Sequence, residues 1–385
     1  MLSFTPGPKL ENELRILQGD IVEIYKNIER LSTEEANYLH RFALISNIGA
    51  STRIENAVLT DPEIEWVDTI LQKDGKTTAF EENKIYIMDK LKKDRERSVE
   101  EVVGCRQILS TVYVQAEELF PLSEVVIRGL HHDLLRYYPR AANFAGGYKK
   151  IPNRVVFINH KTGEERVVLD PSPPGMVTGL AMADLVNWYN SNIRENPWPL
   201  LVATEFIFRF LAIHPFQDGN GRLGRALFIL TMLQSGDKYL KEITPYIAID
   251  RHIEQNRSLY YTTLHQCSEG KFHDDPQKYK IEPLAWFFIK ILRSSLADIK
   301  VYRHRYARLQ KLSESGLVVL NCFKSSPEKR LTVNPSLSRT PRGPTRNRPG
   351  SLTGPHLIFH MVDQRFKITG FNLLTGQGLF ERREF

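Results

Sequence analysis

Apolar residues recur at helical spacing along most of the first 312 positions, so the pattern predicts a chain built mainly from α-helices. Over 10–28 the period is carried by Leu14, Ile16, Leu17, Ile21, Ile24, Tyr25 and Ile28, and Thr33 opens another segment leading to Leu44. Thr60-Asp-Pro-Glu63 reads as a helix start: Thr60 or Asp61 can cap, and Pro62 suits a first turn. Helices are expected over 62–72, 79–93, 98–117, 122–137 and 176–193, then over 253–267 and 283–312. The period changes to that of strands at Val155-Val-Phe-Ile158 and Glu165-Arg-Val-Val-Leu169, which form a hairpin around 159–164 closed by Pro171-Ser-Pro-Pro174. The stretch 200–213 is apolar almost all round (Leu201, Val202, Phe206, Ile207, Phe208, Phe210, Leu211, Ile213), as a buried helix would be. Pro215 ends it, and from Arg222 a second apolar run (Leu223, Ala226, Leu227, Ile229, Leu230, Leu233) resumes helical spacing.

Between those two runs lies the densest chemistry in the chain, His214-Pro-Phe-Gln-Asp-Gly-Asn-Gly-Arg-Leu-Gly-Arg225. His214 is a titratable base at a helix end, and Asp218 is a hard oxygen donor suited to a divalent cation. Gly219, Asn220 and Gly221 let the backbone turn tightly and feed a helix start, where amides point outward at a positive dipole end. Arg222 and Arg225, three apart, add permanent charge suited to phosphate oxygens. Gly219-x-Gly221-x-x-Gly224 also matches the dinucleotide-binding glycine pattern, but that pattern needs a strand running directly into its first glycine. A helix precedes it here, so that reading is set aside. A plain surface turn explains the glycines but not the base, carboxylate and guanidiniums beside them. His131-His132-Asp133 are adjacent on a helix and diverge, so they read as core or surface residues rather than as a metal site.

His214-Pro-Phe-x-Asp218-Gly-Asn220-Gly-Arg222-x-x-Arg225 resembles the signature loop of the Fic family at every defining position. Upstream, Ser51-x-x-x-Glu55-Asn56 is similar to the inhibitory-helix pattern of Fic proteins. The resemblance implies a mainly α fold: a Fic-type helical bundle over 111–300, a β-hairpin flap around 148–175 and the signature loop at 214–225. Before it would lie an N-terminal helical region, 1–110, with the inhibitory helix around 45–57. After it, 301–385 would be a basic linker and a small C-terminal module in the place of a winged helix, opening at 317–332.

The resemblance further implies a magnesium-dependent protein adenylyltransferase that moves AMP from ATP to a Tyr, Thr or Ser hydroxyl of a target protein. His214 would be the base and Asp218 the Mg²⁺ ligand. Phe216, Asp218, Gly219, Asn220, Gly221, Arg222 and Arg225 would hold the nucleotide. Tyr260 and Tyr261, with Asn256 nearby, would meet the adenine. Ser51, Glu55 and Asn56 would inhibit, Glu55 by pairing with Arg225 through a charge-assisted bond. The same carboxylate would position a water in relatives that remove AMP. The target would lie along the flap, whose strand edge offers backbone hydrogen bonds.

Composition adds limits. At 385 residues the chain suits two or three domains. The net charge of +7 is concentrated between Lys300 and Gly350, where Glu314 and Glu328 are the acids. That segment suits nucleic acid or an acidic partner as well as a solvated linker, which keeps open an ATP-sensing transcriptional regulator that binds DNA. Residues 327–355, rich in Pro, Arg, Ser, Thr and Gly, cannot bury much surface and depart from the winged-helix pattern. Cys105, Cys267 and Cys322 are odd in number and widely spaced, which argues for a reducing compartment. No apolar run reaches spanning length and no signal peptide is evident at 1–20, so the expectation is a cytoplasmic protein with no membrane partner; a homodimer stays open.

Overall fold

The computed structural model describes residues 1–73, 76–77, 80–91, 95–158 and 165–312, and further on the strand residues 332–333, 366–367, 378–379 and 381–382. It divides into a unit Met1–Gln310 and a unit Lys311–Phe385. In the second, β5 (Thr332–Val333) pairs antiparallel with β7 (Gly378–Leu379), and β6 (Phe366–Lys367) with β8 (Glu381–Arg382). The winged helix expected there, and any DNA contact through it, fall outside the described residues.

The first unit is helical. Its helices are α1 (Pro8–Ile28), α2 (Thr33–Ile54), α3 (Asp61–Leu71), α4 (Phe80–Lys90), α5 (Glu96–Gln115), α6 (Glu124–Leu135), α7 (Met176–Asn192), α8 (Pro199–Ile213), α9 (Asn220–Leu233), α10 (Lys238–Ile243), α11 (Ile249–Gln255), α12 (Arg257–Ser268) and α13 (Glu282–Leu309). Local chemistry sets their ends. Ser32 Oγ accepts from the Glu35 amide at 3.2 Å to start α2, and Ser123 Oγ accepts from the Val126 amide at 3.2 Å to start α6. At α3 the Thr60 amide donates to Glu63 Oε2 at 2.8 Å within a capping box.

The segment 45–54, expected apart from 33–44, continues α2 without a break, and from Ala43 to Thr52 it is buried throughout. It is a core helix packed on α3, α5, α11 and α13. A helix buried on all sides has no clean amphipathic stripe, which is why periodicity alone divided it. The expected helix 253–267 does break, at Asn256, between α11 and α12. Two-residue strands β1 (Gln72–Lys73) and β2 (Lys76–Thr77) were not anticipated. The flap hairpin is present as β3 (Val155–Ile158) against β4 (Glu165–Leu169), antiparallel, with a register shift between Val155 and Val156.

α8 and α9 form the buried pair around which the rest is laid. Gly224 lets them approach, since a Cβ there would lie 2.9 Å from Ile207 Cδ1. Phe228 of α9 stacks on Phe288 of α13 with ring centroids 4.2 Å apart. No described helix is long and apolar enough to cross a membrane.

Candidate active site

α8 delivers the turn and α9 receives it. His214 caps α8 in a left-handed conformation (φ 50°, ψ 59°), a cost that a side chain bearing a Cβ accepts only where its surroundings fix it. The loop is then stapled from inside. Asn220 Oδ1 accepts from the Phe216 amide at 2.9 Å, and its Nδ2 donates to the Phe216 carbonyl at 2.8 Å. Phe216 is fully buried and stacks on His131, centroids 3.7 Å apart at 8°. Both were expected to hold the nucleotide: the Asn220 side chain is bonded within the loop and lines the cleft, and Phe216 lies in the core. Asn256 is likewise spent elsewhere, donating to the His252 carbonyl at 2.8 Å and accepting from Lys290.

His131, set aside from sequence as ordinary, supports the loop from beneath. The Gly146 amide donates to its Nδ1 at 2.8 Å, so the ring proton sits on Nε2, which donates to the Asp218 carbonyl at 2.9 Å. Burial pushes this imidazole down to about 4, leaving it neutral. A sequence signal existed: His131 lies on the apolar face that Ile127, Leu130 and Leu134 define.

α9 begins at Asn220, two residues before the expected Arg222, so the amides of its first turn open onto a cleft of about 590 Å³. His214, Asp218, Gly219, Gly221, Arg222, Arg225, Tyr260 and Tyr261 all line that cleft, with Val155, Val156, Val168 and Leu169 of the flap along another wall. Burial, then the nearby Lys149 ammonium, pushes His214 down to about 4, so its ring is a neutral base at physiological pH. Its Nδ1 lies 3.4 Å from the Leu211 carbonyl, the acceptor an Nδ1 proton would use.

The two guanidiniums are placed differently. Arg222 is 3 % exposed; its Nη2 is 3.3 Å from Asp218 Oδ1 and its Nη1 is 3.6 Å from Glu101 Oε1. Its Nε and Nη1 find no hydrogen-bond acceptor among the described residues. Arg225 is held through two nitrogens: Nε donates to Ser51 Oγ at 2.9 Å, and Nη2 donates to the Ser51 carbonyl at 2.8 Å and to Glu55 Oε1 at 2.9 Å. Burial opposes the charge on Arg225, but Glu55 together with Asp250, Tyr260 and Tyr261 outweighs it and raises its affinity for the proton. Glu55 lies just past the end of α2, and a Cβ on Gly221 would collide with its Oε1, so the carboxylate sits over the glycine turn itself. Asn56 takes a positive φ of 73° and accepts from Arg257 at 3.2 Å.

Asp250 of α11 was not singled out from sequence. It is 1 % exposed, its Oδ2 finds no hydrogen-bond partner among the described residues, and burial, partly offset by Arg225, pushes it up to about 6. Among the described residues no group of three or more His, Cys, Asp or Glu side chains could enclose a metal ion. Asp218, 40 % exposed at the cleft, fits a looser cation site in which substrate oxygens and waters supply the remaining ligands.

Residues 121–232 match the family model described as Fic/DOC. The chain is 26% identical to the protein adenylyltransferase fic-1 of Caenorhabditis elegans over 148 residues, 38% of this chain and 24% of that protein. It is 31% identical to a Fido domain-containing protein of Dictyostelium discoideum over 98 residues, 23% of this chain and 65% of that one. The matches thus span less than two thirds of these relatives' own length. The fold is similar to the crystal structure of a Fic domain containing signaling protein from Bacteroides thetaiotaomicron, with TM-score 0.53 and 22% identity over 75% of this chain and 97% of that one. It is also similar to a Fic family protein from Desulfovibrio desulfuricans, with TM-score 0.55 and 22% identity over 82% and 79%. Fold, signature loop and family model agree: residues 121–232 carry a Fic/DOC family domain.

Proposed function

We propose that this chain is a protein adenylyltransferase that transfers AMP from ATP to a side-chain hydroxyl of a target protein, and that Glu55 restrains it at rest. The observation that carries the reading is the composition of one cleft: a neutral imidazole, a glycine turn at a helix start and a buried arginine with two nitrogens that lack acceptors among the described residues. A buried cation with unmet donors favours an anion, and the amides of α9 add to that preference. The target hydroxyl oxygen bonds to the α-phosphorus of ATP as His214 takes its proton, and the bond to pyrophosphate breaks. Gly219, Gly221 and the amides of the first turn of α9 cradle the phosphates, with Arg222 beside them. Asp218 would hold magnesium, whose charge offsets that of the phosphates. Tyr260 and Tyr261, with ring centroids 5.6 Å apart, offer faces for a purine.

Glu55 competes with that substrate. Its Oε1 lies over Gly221 and ties up Arg225 Nη2, the donor expected to orient the terminal phosphate. Replacing it by glycine removes one negative charge from a phosphate site and leaves the α2 helix intact. Glu55→Gly is therefore expected to raise incorporation of label from α-labelled ATP into protein at least tenfold over wild type. Label arriving from the γ-phosphate instead, or no incorporation by either protein, would overturn the assignment. The names of the relatives, as protein adenylyltransferases, favour the same reading.

A further inference from the structure

The turn that carries His214 is held from outside as well as from within, and the holding is done by the flap stem. Lys149 lies six residues before β3 and is 3 % exposed. Its backbone amide donates to the Pro215 carbonyl at 2.8 Å. Its Nζ donates to the Ile213 carbonyl at 3.0 Å and to Asn153 Oδ1 at 3.0 Å. Asn153 Nδ2 then donates to the Phe216 carbonyl at 2.9 Å. From the returning limb of the flap, Ser172 Oγ reaches the same Ile213 carbonyl at 2.9 Å. The carbonyls of Ile213, Pro215 and Phe216, which bracket the left-handed His214, are therefore all fixed by residues of the flap stem.

Burying a lysine for this task is costly unless the ammonium has work that a neutral donor cannot do. A backbone carbonyl could be satisfied by a serine, as Ser172 already shows at Ile213. What the lysine adds is a positive charge beside the imidazole. We propose that Lys149 is a positioning residue for the transfer reaction: its buried ammonium locks the strained turn that carries His214, and its charge opposes a proton on that ring. The inference rests on His214 acting as the base. Glu55 from the end of α2 and Asp218 from the loop face the same ring with the opposite sign. Arg154 of the flap, Arg222 and Arg225 of α9 and Arg257 of α12 line the same cleft. These stay constant when Lys149 alone is changed, so any difference belongs to it.

The test reads the ring directly and needs no turnover. In full-length Glu55→Gly protein carrying ring-labelled histidine, His214 is identified by its loss in His214→Ala and titrated by NMR. Lys149→Met is expected to raise its midpoint above about 4, while burial, the larger cause, keeps it below about 6.5, the ordinary value of an imidazole. Lys149→Arg is expected to keep it low. In the rate–pH profile of AMP transfer the acid limb should move upward with Lys149→Met, with KM for ATP changed less than threefold. A His214 midpoint equal in Lys149→Met and Lys149→Arg would overturn the proposal. If Lys149→Met does not fold, the comparison passes to Ser172→Ala, which keeps the charge while removing a donor to the same carbonyl. An upward shift there as large as one pH unit would also overturn it. Wild-type and Glu55→Gly proteins that titrate as expected but transfer nothing would refute the function and leave this electrostatic role standing.

Discussion

The role proposed for His214 depends on its staying unprotonated, and its surroundings supply the reason it does. Burial and the Lys149 ammonium both disfavour the imidazolium, and together they outweigh the carboxylates of Glu55 and Asp218, which favour it. The sign follows directly: in the proposed transfer the neutral ring is the active form, and it persists as pH falls until the midpoint near 4 is approached. AMP transfer should therefore stay nearly flat from pH 7.5 to 6, where an ordinary imidazole would already be losing its active form. A half-loss of rate by pH 6.5 would show that the ring titrates as if exposed. His214→Ala should keep ATP binding within a few-fold, since the phosphate donors lie on α9, and lose transfer by about 10²–10⁴-fold, the usual worth of a positioned base. Nucleotide titration by fluorescence and transfer assays on the same sample separate the two.

The helix pair α8 and α9 was legible because both sides of the turn are continuous apolar runs punctuated by Pro215 and glycines. The flap was legible from its alternation between two turn-rich segments. What stayed hidden is longer in range. Nothing near His131 or Lys149 announces that one would meet the Asp218 carbonyl and the other the Ile213 carbonyl, because those contacts join residues 87 and 64 positions apart. Asn220 and Phe216 show the converse: their types suggested ligand contact, while local geometry spends them on the turn. Gly104 is another position sequence could not flag. It lies within α5, where a Cβ would collide with the backbone carbonyl of Leu134 in α6. Alanine there gains about 1 kcal/mol of helix propensity, yet backbone cannot yield as a side-chain tip can, and overpacking costs about 1–3 kcal/mol. Gly104→Ala should thus lower stability in urea unfolding and, by shifting the helix that bears His131, reduce transfer as well. A variant more stable than wild type would mean that α5 and α6 separate freely.

The restraint proposed for Glu55 raises a question about the first compact unit as a whole: whether it would be removed by detaching a segment or by turning one side chain. α2 is fastened along its length. Asn47 Nδ2 donates to the Ile247 carbonyl and to the Tyr113 hydroxyl, both at 3.1 Å, and its Oδ1 accepts from the Asp250 amide at 3.0 Å. Arg53 holds Glu254 through two bonds of 2.7 and 2.9 Å and reaches Asp61 Oδ1 at 2.8 Å. Ile48 and Ile54 are fully buried. Removing such a helix exposes apolar faces of α5, α11 and α13 and strands buried polar groups, each worth about 1–3 kcal/mol when left without a partner. Set against a typical total stability of about 5–15 kcal/mol, that loss is enough to unfold the unit. Glu55, by contrast, is 31 % exposed at its side chain and sits beyond the last turn, so it can leave Arg225 by a change of rotamer alone. A chain lacking residues 1–56 is accordingly expected to be insoluble or to lack a cooperative thermal transition, while Glu55→Gly melts within about 4–8 °C of wild type, the shift that 1 kcal/mol produces in a smaller domain. A truncated chain that melts cooperatively and transfers AMP as fast as Glu55→Gly would show instead that α2 is a detachable plug.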